Sequence, residues 1–532
     1  MPIKEASAFV NIALKLFVRK HMLKLITAAQ MHEVDAHTIN TEPIASVDLM
    51  ERACKAFVNS FCSLFPDKNS SIAVYCGTGN NGGDGLAIAR LMKAGGYIKT
   101  DVKIARFSDR STPDFDTNFN RLKEASVPFT ELKAGEFPQE NAEIIIDALL
   151  GSGLNKPLSG AFADLVNHLN QFKKQVIAVD VPTGLFTEGV IDPKAAVLKA
   201  DLVITFQRPK INFLLPDSAS FMDDFKVVDI GLDESFIQNS SSFYHLIEEK
   251  DVIKTVRPRK KFQHKGTFGH ALFIAGQAKT MGAALLCSSA SVYAGAGLTT
   301  ACIPVSGLTA LNAYMPEIMA VLREEKQLLD VDWTKFTVIA AGPGLGQDAQ
   351  EIIEDLLHQY KKPIVLDADA LNMLSKNPDW WKLMPENSII TPHVKEFDRL
   401  FGEHHSWWER LETAKKQASD KKIVIVLKNQ YTIIATPYGQ LYFNPTGNPA
   451  MATGGMGDVL TGIITAFLAQ GYASFEAALL AVYIHGKAGE DLASNNCLSI
   501  VLAAQVAVQV PSTLAKLMAK KTVKESLNSC NH

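Results

Sequence analysis

The sequence has few cysteines, no excess of charge of one sign and no long apolar run. Its seven cysteines are scattered and include no C-x-x-C pair, which argues against a disulfide framework or a structural zinc site and favours a reducing cytoplasm. The 53 Lys and Arg residues are balanced by 56 Asp and Glu residues, for a formal net charge of −3. We therefore expect no nucleic-acid partner bound through a strongly basic surface. No apolar run approaches the roughly 18–20 residues of a membrane-spanning helix, so we expect no membrane partner.

What is present indicates a globular protein of more than one domain. The chain has 532 residues, and at about 150 residues per domain this length predicts two or three domains. Apolar residues make up 47% and charged residues 20%, which excludes disorder. Residues 1–21 place Lys and Arg after the short apolar stretch Ala8–Leu14, the reverse of a signal peptide. Met22 could begin the folded chain, so we expect 1–21 to be an unstructured extension.

Strand and helix patterns alternate in two blocks, which predicts an α/β fold with two parallel-sheet domains. We expect the first domain over 22–235, a polar connection over 236–262 and the second domain over 263–520. The predicted strands of the first domain are Ser71–Cys76, Val102–Ala105, Ile144–Leu150, Val176–Val181, Leu202–Phe206 and Val227–Ile230. Those of the second are Ala271–Ala275, Leu298–Ile303, Val338–Ala341, Ile364–Asp367, Ser388–Thr391, Ile423–Lys428 and Thr432–Ala435. Helical spacing is clearest over Leu86–Ala94, Ala283–Tyr293 and Val459–Ala469.

A glycine-rich segment, Gly77–Gly85 (GTGNNGGDG), joins the first predicted strand to the helix Leu86–Ala94. Glycines allow close backbone approach, and free N–H groups at a helix start attract phosphate. The spacing formally matches a dinucleotide fingerprint, but no acidic residue stands clearly at a strand end about 20 positions later. A tight turn is the alternative interpretation. Asn80, Asn81 and Asp84 favour a site, because a plain turn needs no side-chain oxygens.

Two aspartates follow predicted strands of the same domain. Asp147 follows Ile144–Ile146, and Asp180 follows Val176–Val179. Ligands bind at the carboxyl ends of the strands in open α/β sheets. Either aspartate could instead cap the next helix. Their coincidence with the glycine-rich segment favours a common site.

Four ordered motifs carry a family resemblance over residues 22–235: GTGNNGGDGLAIAR, DALLGSGLNKPLSG, AVDVPTGL and ADLVITFQRPK. Together they resemble the NAD(P)H-hydrate epimerase family. The resemblance implies a Rossmann-like, three-layer parallel-sheet domain that interconverts the R and S epimers of hydrated NADH and NADPH. Thr183 stands where the family usually has Ser, and Cys54 where it usually has Gly.

The resemblance also implies functional residues. Asp180 is the implied catalytic acid/base, because inverting a carbon that bears a hydroxyl and a ring nitrogen requires a proton to move onto and off the departing oxygen. Asn81, Asp147 and Thr183 are the implied ligands of a K⁺ ion. The implied substrate-binding residues are Asn80, Asn81, Gly82, Gly83, Asp84, Gly151, Ser152, Gly153, Leu154, Asn155, Lys156, Pro157 and Asp180.

The densest motif of the second domain is Gly447–Asp458 (GNPAMATGGMGD), directly before the predicted helix Val459–Ala469. The N–H groups of Thr453–Gly457 would form an anion hole for phosphate at the helix start. Asp458 would accept a proton from a substrate hydroxyl as phosphate arrives. The alternative is a glycine turn followed by an aspartate that the helix dipole favours.

Further motifs extend this pattern over roughly residues 250–515: KGTFGHALFIAG, GPGLG, VLDADALN, TPHVKEF and NPAMATGGMGDVLTGIITAFLAQG. They resemble the ribokinase-like NAD(P)H-hydrate dehydratase family. The resemblance implies phosphorylation of the ring hydroxyl by ADP with Mg²⁺, then loss of phosphate, which leaves NAD(P)H and AMP. The implied substrate-binding residues are Ala283, Gly344, His393 and Asp458, of which Asp458 is catalytic. The implied ADP-binding residues are Lys428, Asn429, Gln430, Tyr431, Thr432 and Gly457. His393 taken alone could be an ordinary loop histidine, and Asn429 stands where the family favours Gly.

The two resemblances together imply a bifunctional enzyme, an isomerase and a lyase, that repairs hydrated NADH and NADPH. We expect a cytoplasmic homo-oligomer whose partners are its small-molecule substrates and ADP. A small-molecule kinase with a regulatory nucleotide-binding domain is the nearest alternative, and it predicts a stable phosphorylated product. A non-catalytic scaffold would have no need of Asn81, Asp147 and Asp180 together. A redox dehydrogenase is disfavoured, because no Tyr-x-x-x-Lys pattern lies near the glycine-rich segment.

Overall fold

The computed structural model describes residues 22–324, 327 and 331–529, without the side chains of 495–496 and 523–529. The predicted extension, 1–21, lies outside the described residues. The chain divides into two compact units. The N-terminal unit comprises 24–242 with 406–409, and the C-terminal unit comprises the described residues among 1–23, 243–405 and 410–532. None of the described helices is long and apolar enough to cross a membrane.

The N-terminal unit is built on a parallel sheet. Strand β1 (Leu23–Leu25) comes first along the chain and is not part of this sheet, whose strands are β2 (Ile72–Cys76), β3 (Thr100–Ala105), β4 (Phe129–Leu132), β5 (Ile144–Ala148), β6 (Gln175–Val179), β7 (Ala200–Phe206) and β8 (Met222–Val228). The helices are α1 (Ala28–Thr41), α2 (Ser46–Leu64), α3 (Asn80–Ala94), α4 (Pro113–Glu124), α5 (Gly160–Leu169) and α6 (Glu234–Asn239), with short 3-10 helices at Ile211–Leu214 and Pro216–Ser220. Strands β2 to β8 follow the order β4-β3-β2-β5-β6-β7-β8, and every pairing among them is parallel.

Both faces of this sheet are buried. Successive strand residues point to opposite faces, and in the central strands both sets of side chains lie in an apolar cluster. In β2, Ile72, Val74 and Cys76 belong to one apolar cluster, while Ala73 and Tyr75 belong to another. Helices cover both clusters, so the predicted three-layer α/β architecture is confirmed. The strand order reverses between β2 and β5, which opens a crevice at their carboxyl ends, where ligands bind in such sheets.

The helix after β2 begins earlier than the sequence predicts. Helix α3 starts at Asn80, so most of the predicted loop Gly77–Gly85 is helical. Glycine weakens an isolated helix by about 1 kcal/mol per residue, which is why the sequence favours a loop here. Packing outweighs that cost. A Cβ atom on Gly85 would lie 2.5 Å from the Ala148 Cβ and 2.6 Å from the Cys76 Sγ, so glycine lets α3 pack closely on the sheet.

We expect Gly82→Ala to destabilise the protein, because a Cβ atom there would lie 1.9 Å from the Gly77 carbonyl oxygen. Overpacking of this kind costs about 1–3 kcal/mol. Gly79→Ala is the matched control, since a Cβ atom on Gly79 meets nothing within 4 Å. Urea unfolding followed by circular dichroism measures both variants. Equal midpoints for the two variants would contradict the close approach of α3 to Gly77.

The C-terminal unit has a larger sheet. Its strands are β9 (Tyr244–Leu246), β10 (His270–Ile274), β11 (Leu298–Pro304), β12 (Met319–Arg323), β13 (Val338–Ala341), β14 (Ile364–Leu366), β15 (Ile389–Ile390), β16 (Val424–Leu427), β17 (Ile433–Ala435) and β18 (Leu441–Phe443). Its helices are α7 (Glu249–Thr255), α8 (Met281–Tyr293), α9 (Leu308–Tyr314), α10 (Gln350–Gln359), α11 (Asp369–Lys376), α12 (Val394–Phe401), α13 (Trp407–Lys421), α14 (Met456–Ala469), α15 (Ser474–Asn496) and α16 (Ala503–Ser529). Short 3-10 helices lie at Lys265–Phe268, Val305–Gly307, Trp333–Lys335, Pro378–Lys382 and Pro449–Met451.

These strands follow the order β9-β18-β17-β16-β15-β14-β13-β10-β11-β12. The expected parallel pairing holds from β16 to β12. Strands β16, β17 and β18 instead pair antiparallel, because the connections between them are too short for the crossover that a parallel pair requires. The order reverses between β13 and β10, which places a second crevice at the carboxyl ends of these strands.

Candidate functional site

Asp147 and Thr183 connect the ends of two neighbouring strands in the N-terminal crevice. The Thr183 hydroxyl donates to Oδ1 of Asp147 at 2.6 Å, and the Thr183 N–H donates to Oδ2 at 2.7 Å. The Leu149 N–H also donates to Oδ1, at 3.2 Å. Both side chains are fully buried. Asp147 is therefore not a helix cap but joins the loops that follow β5 and β6.

Asn81 lies in the first turn of α3, against the loop that follows β5. A Cβ atom on Gly151 would be 3.1 Å from the Asn81 Oδ1, and the Asn81 Nδ2 is buried without a hydrogen-bond partner among the described residues. The loop Gly151–Pro157 beyond it is half-buried to exposed. The structure therefore places the glycine-rich segment beside the second predicted substrate-binding loop.

The side-chain oxygens near the end of β5 suit a hard cation. Burial raises the pKa of Asp147 to about 6, although hydrogen bonds from Thr183 and Leu149 oppose the shift. A cation would stabilise the ionised carboxylate, and carboxylate, hydroxyl and amide oxygens are the ligands that hard cations prefer. The described residues contain no group of three or more His, Cys, Asp or Glu that could hold a metal ion. Asn81, Asp147 and Thr183 supply amide, carboxylate and hydroxyl oxygens, and these three side chains are therefore compatible with a cation such as K⁺.

Asp180 follows β6 directly and has an unusual backbone. Its φ of 62° lies in the left-handed region, which is uncommon outside glycine and is found at functional sites. Its Oδ1 accepts three hydrogen bonds, from the Lys210 Nζ at 2.7 Å and from the Thr205 hydroxyl and the Phe206 N–H, each at 3.0 Å. Its Oδ2 has no hydrogen-bond partner among the described residues. Asp180 is therefore held by one oxygen and does not cap a helix.

Two groups beside Asp180 were not predicted from the sequence. Lys210 is buried, and because buried lysines are rare unless paired, its apolar surroundings in RPKINFLL are a signal that could have indicated a buried ion pair. Asp35 comes from α1, and no local pattern indicates its position. Burial raises the pKa of Asp35 to about 6; Asp180 raises it further, and Lys210 opposes the shift.

Cys54, in α2, contacts the glycine-rich segment. Its thiol lies 3.4 Å from the Asp84 Oδ1 and from the Asp84 carbonyl oxygen. Burial raises the pKa of Asp84 well above its usual range, while the contact with Cys54 opposes the shift. Burial also raises the pKa of the Cys54 thiol. Cys54 therefore lies against a predicted substrate-binding residue as a protonated thiol.

In the C-terminal unit, an ion pair between the buried Asp367 and the half-buried Lys428 lies at the strand ends. Asp367 follows β14, and its Oδ1 accepts from the Lys428 Nζ at 2.9 Å. Its Oδ2 accepts from the Thr461 hydroxyl of α14 at 2.8 Å. The intervening Ala368 has a φ of 50°, so the backbone is strained between the two aspartates of VLDADALN. This network connects β14, β16 and the start of α14.

The predicted anion hole lies at the start of α14, beside Lys428. Gly455 has a φ of 90° and begins the helix, a conformation that glycine adopts readily. A Cβ atom on Gly457 would be 3.3 Å from the Lys428 Nζ. The N–H groups of a helix start and a nearby ammonium both attract phosphate. The geometry thus supports an anion site at Gly457.

Asp458 lies in the first turn of α14 and has a pKa close to neutral pH. Burial raises its pKa to about 7; Asp367 and Asp369 raise it further, and Lys428 opposes the shift. A general base works best when its pKa is close to the working pH. The residue next to the anion site can therefore accept a proton at physiological pH.

Two predicted substrate-binding residues, Ala283 and Gly344, are neighbours in this crevice. A Cβ atom on Gly344 would be 2.9 Å from the Ala283 Cβ. The Thr280 hydroxyl, just before α8, donates to the Gly344 carbonyl at 2.6 Å. The loop after β13 therefore packs on the start of α8, at the reversal of strand order.

His393 is a helix cap that lies beside Lys428. Its Nδ1 accepts from the Lys395 N–H at 3.1 Å, and its own N–H donates to the Glu396 carboxylate at 2.9 Å. The two backbones form a parallel bridge at His393 and Lys428. Burial lowers the pKa of His393, and Lys428 lowers it further. The imidazole is therefore uncharged near neutral pH, and its ring is 47% exposed.

The loop that follows β16 contains an unsatisfied amide. Both polar side-chain atoms of Asn429 are buried without a hydrogen-bond partner among the described residues. Its carbonyl accepts from the Thr432 hydroxyl at 3.1 Å. Because buried polar groups are nearly always paired, the Asn429 amide is suited to bind a ligand.

Comparisons with known proteins match both units. The NAD(P)H-hydrate dehydratase family model matches residues 271–512, and the model for the YjeF-related protein N-terminus matches residues 46–212. The bifunctional NAD(P)H-hydrate repair enzyme Nnr of Moorella thermoacetica is 33% identical, over 93% of this chain and 97% of that protein. The enzyme of the same name from Escherichia coli is 35% identical, over 84% of this chain and 85% of that protein. The solved structures include an ADP/ATP-dependent NAD(P)H-hydrate dehydratase from Bacillus subtilis, co-crystallised with ATP and Mg²⁺, which is 33% identical to this chain. The match covers 51% of this chain and 97% of the Bacillus subtilis chain, with a TM-score of 0.46.

Proposed function

The chain belongs to the family of bifunctional NAD(P)H-hydrate repair enzymes, and we propose that each of its two units carries one of the two activities. The N-terminal unit interconverts the R and S epimers of hydrated NADH and NADPH. The C-terminal unit dehydrates the S epimer to NADH or NADPH at the expense of ADP. The observation that carries the proposal is that each crevice holds one aspartate suited to proton transfer, Asp180 in the first and Asp458 in the second.

In the dehydratase site, Asp458 accepts the proton of the ring hydroxyl as its oxygen attacks the terminal phosphate of MgADP. Gly457, at the start of α14, and Lys428 lie where they can stabilise the charge of the transferred phosphoryl group. AMP is the first product. The C–O bond then breaks with its electron pair on the phosphate, the neighbouring ring carbon loses a proton, and the ring double bond re-forms. Ala283, Gly344 and His393 would hold the substrate, and the loop Lys428–Thr432 would hold the nucleotide.

In the epimerase site, Asp180 gives a proton to the ring hydroxyl, and the C–O bond breaks with its electron pair on the departing water. The ring nitrogen forms a C=N bond, and water then adds to the opposite face and returns the proton to Asp180. Asn80–Asp84 and Gly151–Pro157 would bind the dinucleotide. A K⁺ ion held by Asn81, Asp147 and Thr183 would supply positive charge beside the substrate.

A cytoplasmic location and a homo-oligomeric state are part of this proposal. None of the six described cysteines forms a disulfide, which fits a reducing compartment. Val305, Tyr314 and Met319 are large apolar residues that are exposed in the C-terminal unit, and β12 is an edge strand. Exposed apolar residues and an open strand edge support association with another copy.

The direct test incubates the purified protein with both epimers of hydrated NADH, Mg²⁺, K⁺ and either ADP or ATP. The expected result with ADP is recovery of the whole pool as NADH, measured by its near-ultraviolet absorbance. Accumulation of a phosphorylated nucleotide without NADH would instead favour the small-molecule kinase.

We expect Asn429→Gly to raise the KM for ADP by about fivefold, because one lost hydrogen bond is worth roughly 1 kcal/mol. Initial rates at saturating S epimer measure this constant. Asn387→Gly is the matched control: Asn387 is exposed, has a φ of 62° and precedes β15, at the amino end of the parallel strands, whereas Asn429 follows the carboxyl end of β16. An unchanged KM in Asn429→Gly would show that the buried amide does not contact the nucleotide.

A further inference from the structure

The two oxygens of the Asp180 carboxylate have different surroundings. Oδ1 accepts hydrogen bonds from Lys210, Thr205 and the Phe206 N–H, while Oδ2 is bonded to none of the described residues. A carboxylate can accept about four hydrogen bonds. Because the three bonds from protein groups all go to Oδ1, Oδ2 is able to accept a hydrogen bond or a proton from a ligand.

We propose that Lys210 is a positioning residue of epimerisation: it fixes Oδ1 of Asp180 and thereby makes Oδ2 the oxygen that exchanges a proton with the substrate. The inference rests on the epimerase activity proposed above. Lys210 does not touch the substrate in this account. It stabilises the carboxylate that forms when Oδ2 gives up its proton, and it holds the carboxyl plane.

The burial of Lys210 supports this role. The residue is 5% exposed, and its Nζ lies 2.7 Å from the Asp180 Oδ1 and 3.5 Å from the Phe206 carbonyl oxygen. A buried ammonium is costly unless it is paired and hydrogen-bonded. The other titratable groups near Asp180 include the carboxyl groups of Asp35 and Asp84, which cannot replace Lys210 as its counter-ion.

The backbone around the pair is held in a demanding arrangement. Asp180 and Gln207 both have positive φ, 62° and 58°, at the ends of the adjacent parallel strands β6 and β7. The Asp180 N–H still donates to the Ile204 carbonyl at 2.9 Å, and the Gln207 N–H donates to the Val228 carbonyl at 2.8 Å. Strain of this kind persists where surrounding contacts fix it. The sheet therefore orients the Phe206 N–H and Lys210 toward one oxygen of Asp180.

The test compares Lys210→Ala and Lys210→Met with the wild type, in full-length protein without nucleotide. Interconversion of the pure R epimer is followed by chromatography that separates the two epimers. We expect kcat to fall about a hundredfold in both variants, as a misplaced catalytic group does, with little change in KM. Added propylammonium should restore part of kcat in Lys210→Ala, because it can enter the space left by the lysine, but not in Lys210→Met.

Arg208→Ala is the matched control. Arg208 is also 5% exposed and lies in the same segment, but its Nη2 pairs with Glu234 at 2.6 Å. We expect lower thermal stability with kcat retained and no response to propylammonium. Wild-type kcat in both Lys210 variants, or a change in KM alone, would overturn the inference. A wild type that does not interconvert the epimers would instead overturn the proposed function.

Discussion

Asp458→Asn is expected to abolish ADP-dependent dehydration of the S epimer while epimerisation continues at the wild-type rate. Loss of a general base lowers a rate by roughly 10²–10⁴-fold, and the amide of asparagine cannot accept the hydroxyl proton. The steady-state rate of NADH formation from the pure S epimer measures the effect. Asp355→Asn, at an exposed aspartate of α10, is the control that should keep full activity.

The pH dependence gives a second readout of Asp458. Burial and the charge of Asp367 raise its pKa to about 7, so the wild-type rate should rise with pH through that value as the base becomes ionised. A dehydration rate that is independent of pH in this range would contradict the role of Asp458. So would an Asp458→Asn variant that retains activity.

The same shift has a consequence for stability. Because the folded state favours the protonated carboxyl group, the stability that Asp458 contributes is fully present below the pKa of the unfolded chain and is lost as pH rises through about 7. Asp458→Asn should therefore unfold at a higher temperature than the wild type at about pH 8, with a smaller difference at about pH 5. A variant that is less stable than the wild type at both values would contradict the burial of this charge.

Asp180→Asn is the second change with a large expected effect. It should lower the rate of epimer interconversion by roughly 10²–10⁴-fold, because the amide can no longer exchange a proton at the Oδ2 position. With ADP present, the S share of a mixed pool should still be recovered rapidly, and the R share only at the uncatalysed rate. Asp223→Asn, at an exposed position of β8, is the matched control. Rapid recovery of both shares in Asp180→Asn would contradict its assignment.

The strand ends were the part of the fold that the sequence predicted best. Short apolar runs followed by glycine or aspartate located β2, β5, β6 and β14, and the structure places Asp147, Asp180 and Asp367 at their carboxyl ends. The comparisons confirm the family resemblance drawn from the motifs. The helical start of α3 was missed, because the cost of its glycines is visible in the sequence and the packing that offsets it is not.

The charges around each aspartate were less predictable than the aspartates themselves. Lys210 lies 30 residues from Asp180 along the chain, and Asp35 comes from α1, so only the folded sheet brings the three together. Lys428 and Asp367 meet in the same way, across β16 and β14. Motifs identify which residues are present, whereas the pKa values depend on burial and on partners distant in sequence.

The most direct test of two separate sites on one chain mixes the Asp180→Asn and Asp458→Asn variants. Each variant keeps one intact site, so the mixture should recover the whole pool of hydrated NADH with ADP, as the wild type does. Each variant alone should fail: Asp180→Asn should leave the R share behind, and Asp458→Asn should form no NADH. A mixture that rapidly recovers only the S share, or none of the pool, would contradict the account.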